Sequence, residues 1–164
     1  MHTYDIINET IIHAPTEHVW HALIAEFNGT TTWWTPHNTF QPGTTSPEHI
    51  GGTTHITVHP KGNTKGGPKI RFTATTTHTT PNRHLATDYT HGAFRGHATY
   101  TLTPLHHNTQ TRLTMHFTAT PHGWLTLLAK LTNIGTQHST ATHNAFTHLN
   151  THLTTTPTTP RSTR

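Results

Sequence analysis

The chain of 164 residues contains no cysteine and only six acidic residues. Without cysteine there is no disulfide frame, no thiolate nucleophile and no sulfur ligand for a metal. The apolar runs fall far short of the roughly 20 residues needed to cross a bilayer, so stable membrane insertion is not expected. The N-terminus MHTYDIINETII lacks a basic stretch followed by an apolar core and does not read as a signal peptide. A cytoplasmic location is the expectation. Charged residues make up 10% of the chain, against about 25% in an average globular protein. The net charge is +4 and Arg161 and Arg164 carry two of those charges at the C-terminus. No basic run is interleaved with aromatic residues, which argues against nucleic acid as a partner.

Threonine and histidine fill the space that charge leaves. Threonine is roughly a quarter of the chain, and its β-branched carbon favours strands. The 20 histidines raise the question of metal. His55 and His59 are spaced to share a strand face, His18 and His21 stand one helical turn apart, and His106 and His107 adjoin in a turn. A zinc site needs three or four converging ligands, supported by carboxylates or thiolates. Pairs this sparse arise by composition alone, so no metal and no cofactor are assigned.

Periodicity then gives the order of elements. Residues 4–13 alternate as a strand. Residues 14–27, APTEHVWHALIAEF, read as a helix with Pro15 and Glu17 at its start and an apolar stripe of Val19, Trp20, Leu23, Ile24 and Phe27. A second short helix is predicted around Trp33 and Trp34. Strand-like segments follow at 36–41, 52–59, 69–79, 83–91, 94–105 and 111–119, separated by turn chemistry such as QPGTTSP and PKGNTKGGP. Over 122–153 the period changes to three and four, from Trp124, Leu127, Leu128 and Leu131 through Ile134, His138 and Thr142 to Ala145, Phe146, Leu149 and Leu153. This predicts one helix about 45 Å long, with Asn133 and Gly135 as the place for a bend. Residues 154–164 are polar and are predicted to be a disordered tail beyond a single domain of residues 1–153. The order predicts an α+β fold, with a curved seven-stranded antiparallel sheet wrapped around a long C-terminal helix. Such a sheet cannot touch a straight helix along its whole length, and a cavity between them follows.

IIHAPTEHVWHALI, then WWTP, then GAFRGHATYTLTP, then the amphipathic C-terminal segment, together resemble the polyketide cyclase/dehydrase and lipid-transport branch of the START-like (SRPBCC) superfamily. The resemblance implies a helix-grip (Bet v 1-like) fold with an internal hydrophobic pocket. It carries over at Ala14, Pro15, Val19, Trp20, Trp33, Trp34, Pro36, Phe94, Gly96 and Tyr100. Ala93 stands where the family often has an acid, and Thr136 and Gln137 replace the first two members of a Trp-Asn-His triplet that would end at His138. The resemblance therefore carries the fold further than it carries any polar chemistry.

Residues expected to line the pocket are Trp34, Phe40, Phe72, Tyr89, Phe94, Gly96, Tyr100, Met115 and Phe117, with Trp124, Leu128 and His138 from the helical segment. Gly96 falls in the buried series of its strand. A glycine inside a strand weakens it, so its missing side chain is expected to leave room for a ligand or for the helix. If a ligand takes that room, valine at 96 blocks binding and spares the fold. Asp88 and Arg95 point outward by strand parity. The expected function is binding of a hydrophobic small molecule, a lipid or a polyketide-like aromatic, by a monomer or homodimer. A cyclase or aromatase using the same pocket is one alternative. A non-catalytic interaction protein with a filled cavity is another. No catalytic residue is assigned. Closely spaced acid–base groups in the cavity would favour the enzyme, and a collapsed cavity the interaction protein.

Overall fold

The computed structural model describes residues 3–130 and 132–155. The predicted tail lies outside them, apart from its first two residues, and so does Leu131. Strand β1 (Tyr4–Ile12) leads into helix α1 (Thr16–Phe27). Six strands follow: β2 (Asn38–Pro42), β3 (Thr53–Val58), β4 (Ile70–Thr80), β5 (His84–Gly92), β6 (Phe94–Leu105) and β7 (Gln110–Pro121). A short helix α2 (Leu125–Leu128) and the long helix α3 (Ile134–Thr154) complete the chain. The sheet order is β1-β7-β6-β5-β4-β3-β2 and every pairing is antiparallel. Helix α1 carries the chain from one edge of the sheet to the other, and the meander β2 to β7 returns it to β1. This is the predicted α+β architecture, a curled seven-stranded sheet closed by a C-terminal helix.

Alternation decides which face of each strand turns inward. Along β7, Leu113, Met115, Phe117 and Ala119 are buried while their neighbours are half-exposed. The helices supply the other wall of the core. Val19, Trp20, Leu23 and Phe27 of α1 are buried, as are Ala145, Phe146 and Leu149 of α3. The start of α1 is tied to the β6–β7 turn. Thr16 donates its N–H to Asn108 Oδ1 at 3.0 Å, and Asn108 Nδ2 donates to Glu17 at 3.0 Å.

Two predicted elements differ from the structure. The segment around Trp33 and Trp34 forms consecutive turns rather than a helix. The Trp33 N–H goes to the Glu26 carboxylate at 2.8 Å, and Pro36 has no N–H with which to continue a helical ladder. The single helix over 122–153 is broken in two. Asn133 is not a bend but a new start, since it leaves the helical region (φ −89°, ψ 80°) and its side chain accepts from the Thr136 N–H at 3.0 Å. Leu125 is the buried member of α2, whereas Trp124 and Leu127 are 53% and 70% exposed.

Gly96 has a different reason to be glycine. Its φ is +141°, and a Cβ there would lie 2.0 Å from the Thr118 carbonyl oxygen and 2.7 Å from Ala119 Cα. The space is taken by the backbone of β7, so Gly96 leaves no room for a ligand. Gly92 is similar, at φ +91° with the Arg71 carbonyl oxygen 2.3 Å from the same notional atom. The two glycines let β5 and β6 run close to their neighbours beside a bulge at Thr90, where Thr73 faces His91 but Ala74 faces Tyr89.

Candidate ligand-binding cavity

Between the concave face of the sheet and the first half of α3 lies a cavity of about 240 Å³. Its sheet wall is built from Phe40, Ile56, Val58, Ile70, Phe72, Tyr89, Phe94, Tyr100, Met115 and Phe117. Helix α3 contributes Ile134, Thr136, Gln137, His138, Thr140, Ala141 and Thr142, the start of β2 adds Asn38, and the loops add Trp34, His37 and Pro60. Nine of the twelve expected residues therefore line it: Trp34, Phe40, Phe72, Tyr89, Phe94, Tyr100, Met115, Phe117 and His138. Three do not. Trp124 is exposed on the far side of the helix break, Leu128 packs against the core outside the cavity, and Gly96 abuts β7.

Aromatic rings form two groups. Phe72 stands at 5.0 Å from Tyr89 and 5.1 Å from Phe94, and Phe117 stands at 5.7 and 5.6 Å from the same two rings. The second group centres on Trp34, with Phe40 at 5.4 Å and Phe146 at 5.9 Å, while Phe27 bridges to Tyr100 at 5.2 Å. Helix α3 touches both. His138 stacks on Phe117 with centroids 4.1 Å apart, and Phe146 meets Trp34 two turns further on. Thr142 sits midway.

The lining contains no Asp, Glu, Lys or Arg. Burial pushes the phenols of Tyr89 and Tyr100 above the ordinary tyrosine range, and Tyr89 is raised further by Tyr100. Desolvation pushes His138 down to about 4. Although the residue is half-buried overall, its Nε2 is sealed from solvent and has no hydrogen-bond partner. Apart from histidine, the wall carries no side chain that is charged at neutral pH. Phenols so hard to ionise, beside an imidazole so weakly basic, are poorly matched to proton transfer near pH 7.

The turn carrying Trp34 is held by a residue that sequence alone did not single out. Glu26 is 1% exposed, and its carboxylate accepts from the Trp33 N–H and, at 3.4 Å, from Thr31 Oγ1. The Trp33 indole donates to the Ala22 carbonyl at 3.2 Å, and His148 donates from Nδ1 to the Trp33 carbonyl at 3.1 Å. Desolvation raises Glu26 to about 7, partly offset by the backbone hydrogen bonds it accepts. Other unsuspected lining residues, such as Ile56, Ile70 and Thr142, had a signal in their strand or helix period. Nothing in that period separated cavity wall from filled core.

The histidine pairs do not converge. His55 is exposed and bonds Thr73 at 3.1 Å, whereas His59, just past the end of β3, is buried and bonds Thr39 at 2.9 Å. Among the described residues no group of three or more His, Asp or Glu side chains is placed to hold a metal ion. Asp88 is exposed, and Arg95 turns back to the carbonyls of Gly92 and Phe94.

Thr142 Oγ1 is buried without a partner. Thr142→Val, which keeps the shape and removes the hydroxyl, is expected to stabilise the empty protein by about 1 kcal/mol. That corresponds to a rise of roughly 2–4 °C in a thermal melt. A lower melting temperature would show that the hydroxyl is already satisfied.

The model of the family described as polyketide cyclase/dehydrase and lipid transport matches residues 6–141. The chain belongs to this family. A comparison with curated proteins found no match. Among solved structures, the family fold recurs at low sequence identity. A protein of Thermus thermophilus is 16% identical with a TM-score of 0.67, over 92% of this chain and 97% of that one. The Zhui aromatase/cyclase from a Streptomyces species is 13% identical with a TM-score of 0.66, over 92% and 93%. Major latex-like protein 151 of Panax ginseng is 11% identical with a TM-score of 0.63, over 92% and 97%. At these identities the likeness is one of fold.

Proposed function

We propose that the chain binds a hydrophobic small molecule in the cavity between sheet and α3. One observation carries this reading: about 240 Å³ of space stands open inside a wall that is mostly aliphatic and aromatic. An apolar cavity of about 150 Å³ already accommodates benzene, while pockets for drug-sized ligands begin near 300 Å³. The volume suits a compact ligand of about two fused rings better than a long acyl chain. Membership of a family described by both cyclisation and lipid transport supports a ligand of this apolar kind. A cyclase reaction in the same pocket is less well supported, because no carboxylate or cation faces the cavity. The open volume weighs against an interaction protein whose cavity is filled by its own side chains.

Native mass spectrometry of the purified protein tests the proposal, combined with calorimetric titration of naphthalene as a minimal two-ring probe. A co-purified neutral adduct, or saturable naphthalene binding at one site, is expected. A bare polypeptide that also fails to take up naphthalene would refute it.

A further inference from the structure

We propose that the end of the sheet where β4 and β6 begin is a docking surface for an anionic lipid bilayer. Such docking is independent of what the cavity holds. Strand register gathers the charges at that end. Tyr4 at the start of β1 pairs with Ala119, Asn38 and Ile70 both pair with Val58, Phe72 faces Gly92, and Phe94 faces Pro121. Residues 3–6, 35–38, 58–72, 90–96, 118–130 and 132–136 therefore belong to one end. They carry six of the chain's ten Lys and Arg residues and a single acid, Asp5, which bonds His116.

Three of the four lysines, Lys61, Lys65 and Lys69, stand in the β3–β4 loop, and all three are exposed. The loop is anchored: the Asn63 N–H donates to the Pro36 carbonyl at 2.8 Å, and the Gly62 N–H to the His59 carbonyl at 2.9 Å. A lysine ammonium is a point charge without the fork of a guanidinium, and it suits the diffuse negative potential of a headgroup layer. Across the same end, α2 buries Leu125 but leaves Trp124 53% and Leu127 70% exposed, with Lys130 exposed after them. The His122 N–H donates to the Ala93 carbonyl at 2.7 Å and fixes this segment beside the β5–β6 turn. Indole, leucine and lysine are residue types that settle at a bilayer interface.

β4 and β7 lie three strand spacings apart in the sheet, about 14 Å. One small anion cannot reach both the lysine loop and α2, whereas a planar surface can. The lysines alone would suit an acidic protein equally well. Trp124 and Leu127 favour a bilayer, whose interface takes both side chains without a matching pocket. Both flanks adjoin the cavity, which Pro60 and Ile70 line beside the loop and Ile134 lines beyond α2.

Flotation of the full chain with vesicles tests the docking, using phosphatidylcholine alone and equal parts of phosphatidylcholine and phosphatidylserine. Binding to the mixed vesicles that weakens with salt, and little binding to the neutral ones, is expected. Lys61→Ala, Lys65→Ala and Lys69→Ala combined, and Trp124→Ser and Leu127→Ser combined, are each expected to bind at least about tenfold more weakly. Neither set should change the melting temperature, since all five side chains are exposed. Lipid with brominated acyl chains should quench the parent's tryptophan fluorescence, and Trp124→Phe should abolish the quenching, because Trp20, Trp33 and Trp34 are 3%, 6% and 3% exposed. Absent flotation with mixed vesicles, equal flotation with neutral ones, full binding by either combined variant or unquenched fluorescence would each overturn the proposal. Retention on immobilised polyglutamate without vesicle binding would overturn it in favour of an acidic protein.

Discussion

Gly96→Ala is expected to lower the thermal midpoint by roughly 5–10 °C, and Gly96→Val by at least as much. The residue has φ +141°, and any Cβ would sit 2.0 Å from the Thr118 carbonyl oxygen. That oxygen is backbone within the β6–β7 pairing, where Gly96 faces Ala119, so it cannot swing aside as a side chain would. Backbone strain of this kind costs of order 1–3 kcal/mol, and separating two paired strands adds to it. For a chain of this size, each kcal/mol is worth about 2–4 °C. Melts of both variants, with far-ultraviolet circular dichroism to check the sheet, decide the matter. An alanine variant melting within a degree or two of the parent would show that the strand tolerates a side chain there. A stable valine variant that lost only ligand binding would restore the expectation drawn from strand parity.

The second expectation concerns pH. Folding raises Glu26 to about 7 through burial and lowers His138 to about 4 through burial. Above the ordinary carboxylate range, the folded protein holds a proton on Glu26 that the unfolded chain releases, so stability falls as pH rises toward 7. Below the ordinary histidine range, the unfolded chain takes a proton that buried His138 refuses, so stability falls as pH drops toward 4. Between about pH 4.5 and 6.5 the two slopes oppose each other. The parent protein should therefore look nearly flat there, and each single variant should uncover the partner it leaves. Glu26→Gln is expected to gain stability as pH rises from about 4 to 6.5. His138→Phe is expected to lose it as pH rises from about 4.5 to 7. Each change is on the order of 2 kcal/mol after a discount for residual solvent screening. His59 and His84, both lowered chiefly by desolvation, add modestly to the histidine slope. Urea denaturation of the parent, both single variants and the double variant at half-unit pH steps measures all four profiles. Single variants whose slopes match each other in sign would refute the assignment.

Much of this fold was legible because period marks burial wherever one face is wet. On β7, Leu113, Met115 and Phe117 alternate with polar residues, and the structure buries all three. Period does not say what an apolar face will meet. Trp124 and Leu127 fit the helical stripe, yet they stand in solvent beyond the break at Asn133. Parity places the missing side chain of Gly96 on one side of its strand, but it is blind to how closely the next backbone runs. Glu26 had the least signal of all. A single acid near the end of a helix ordinarily faces water, and only the return of the Trp33 N–H onto it explains why this one is buried. The cavity residues were recognisable as an inward-facing set. Which of them bound open space depended on the distance between sheet and α3, which no local pattern encodes.

A lining without Asp, Glu, Lys or Arg also bears on kinetics. Association that is steered by fixed charges accelerates at low ionic strength and slows as salt screens the field. Among Phe40, Ile56 and Phe72 a guest meets no Asp, Glu, Lys or Arg side chain. The on-rate of an uncharged guest should be nearly indifferent to salt, while added sulfate, which strengthens apolar burial, slows its departure.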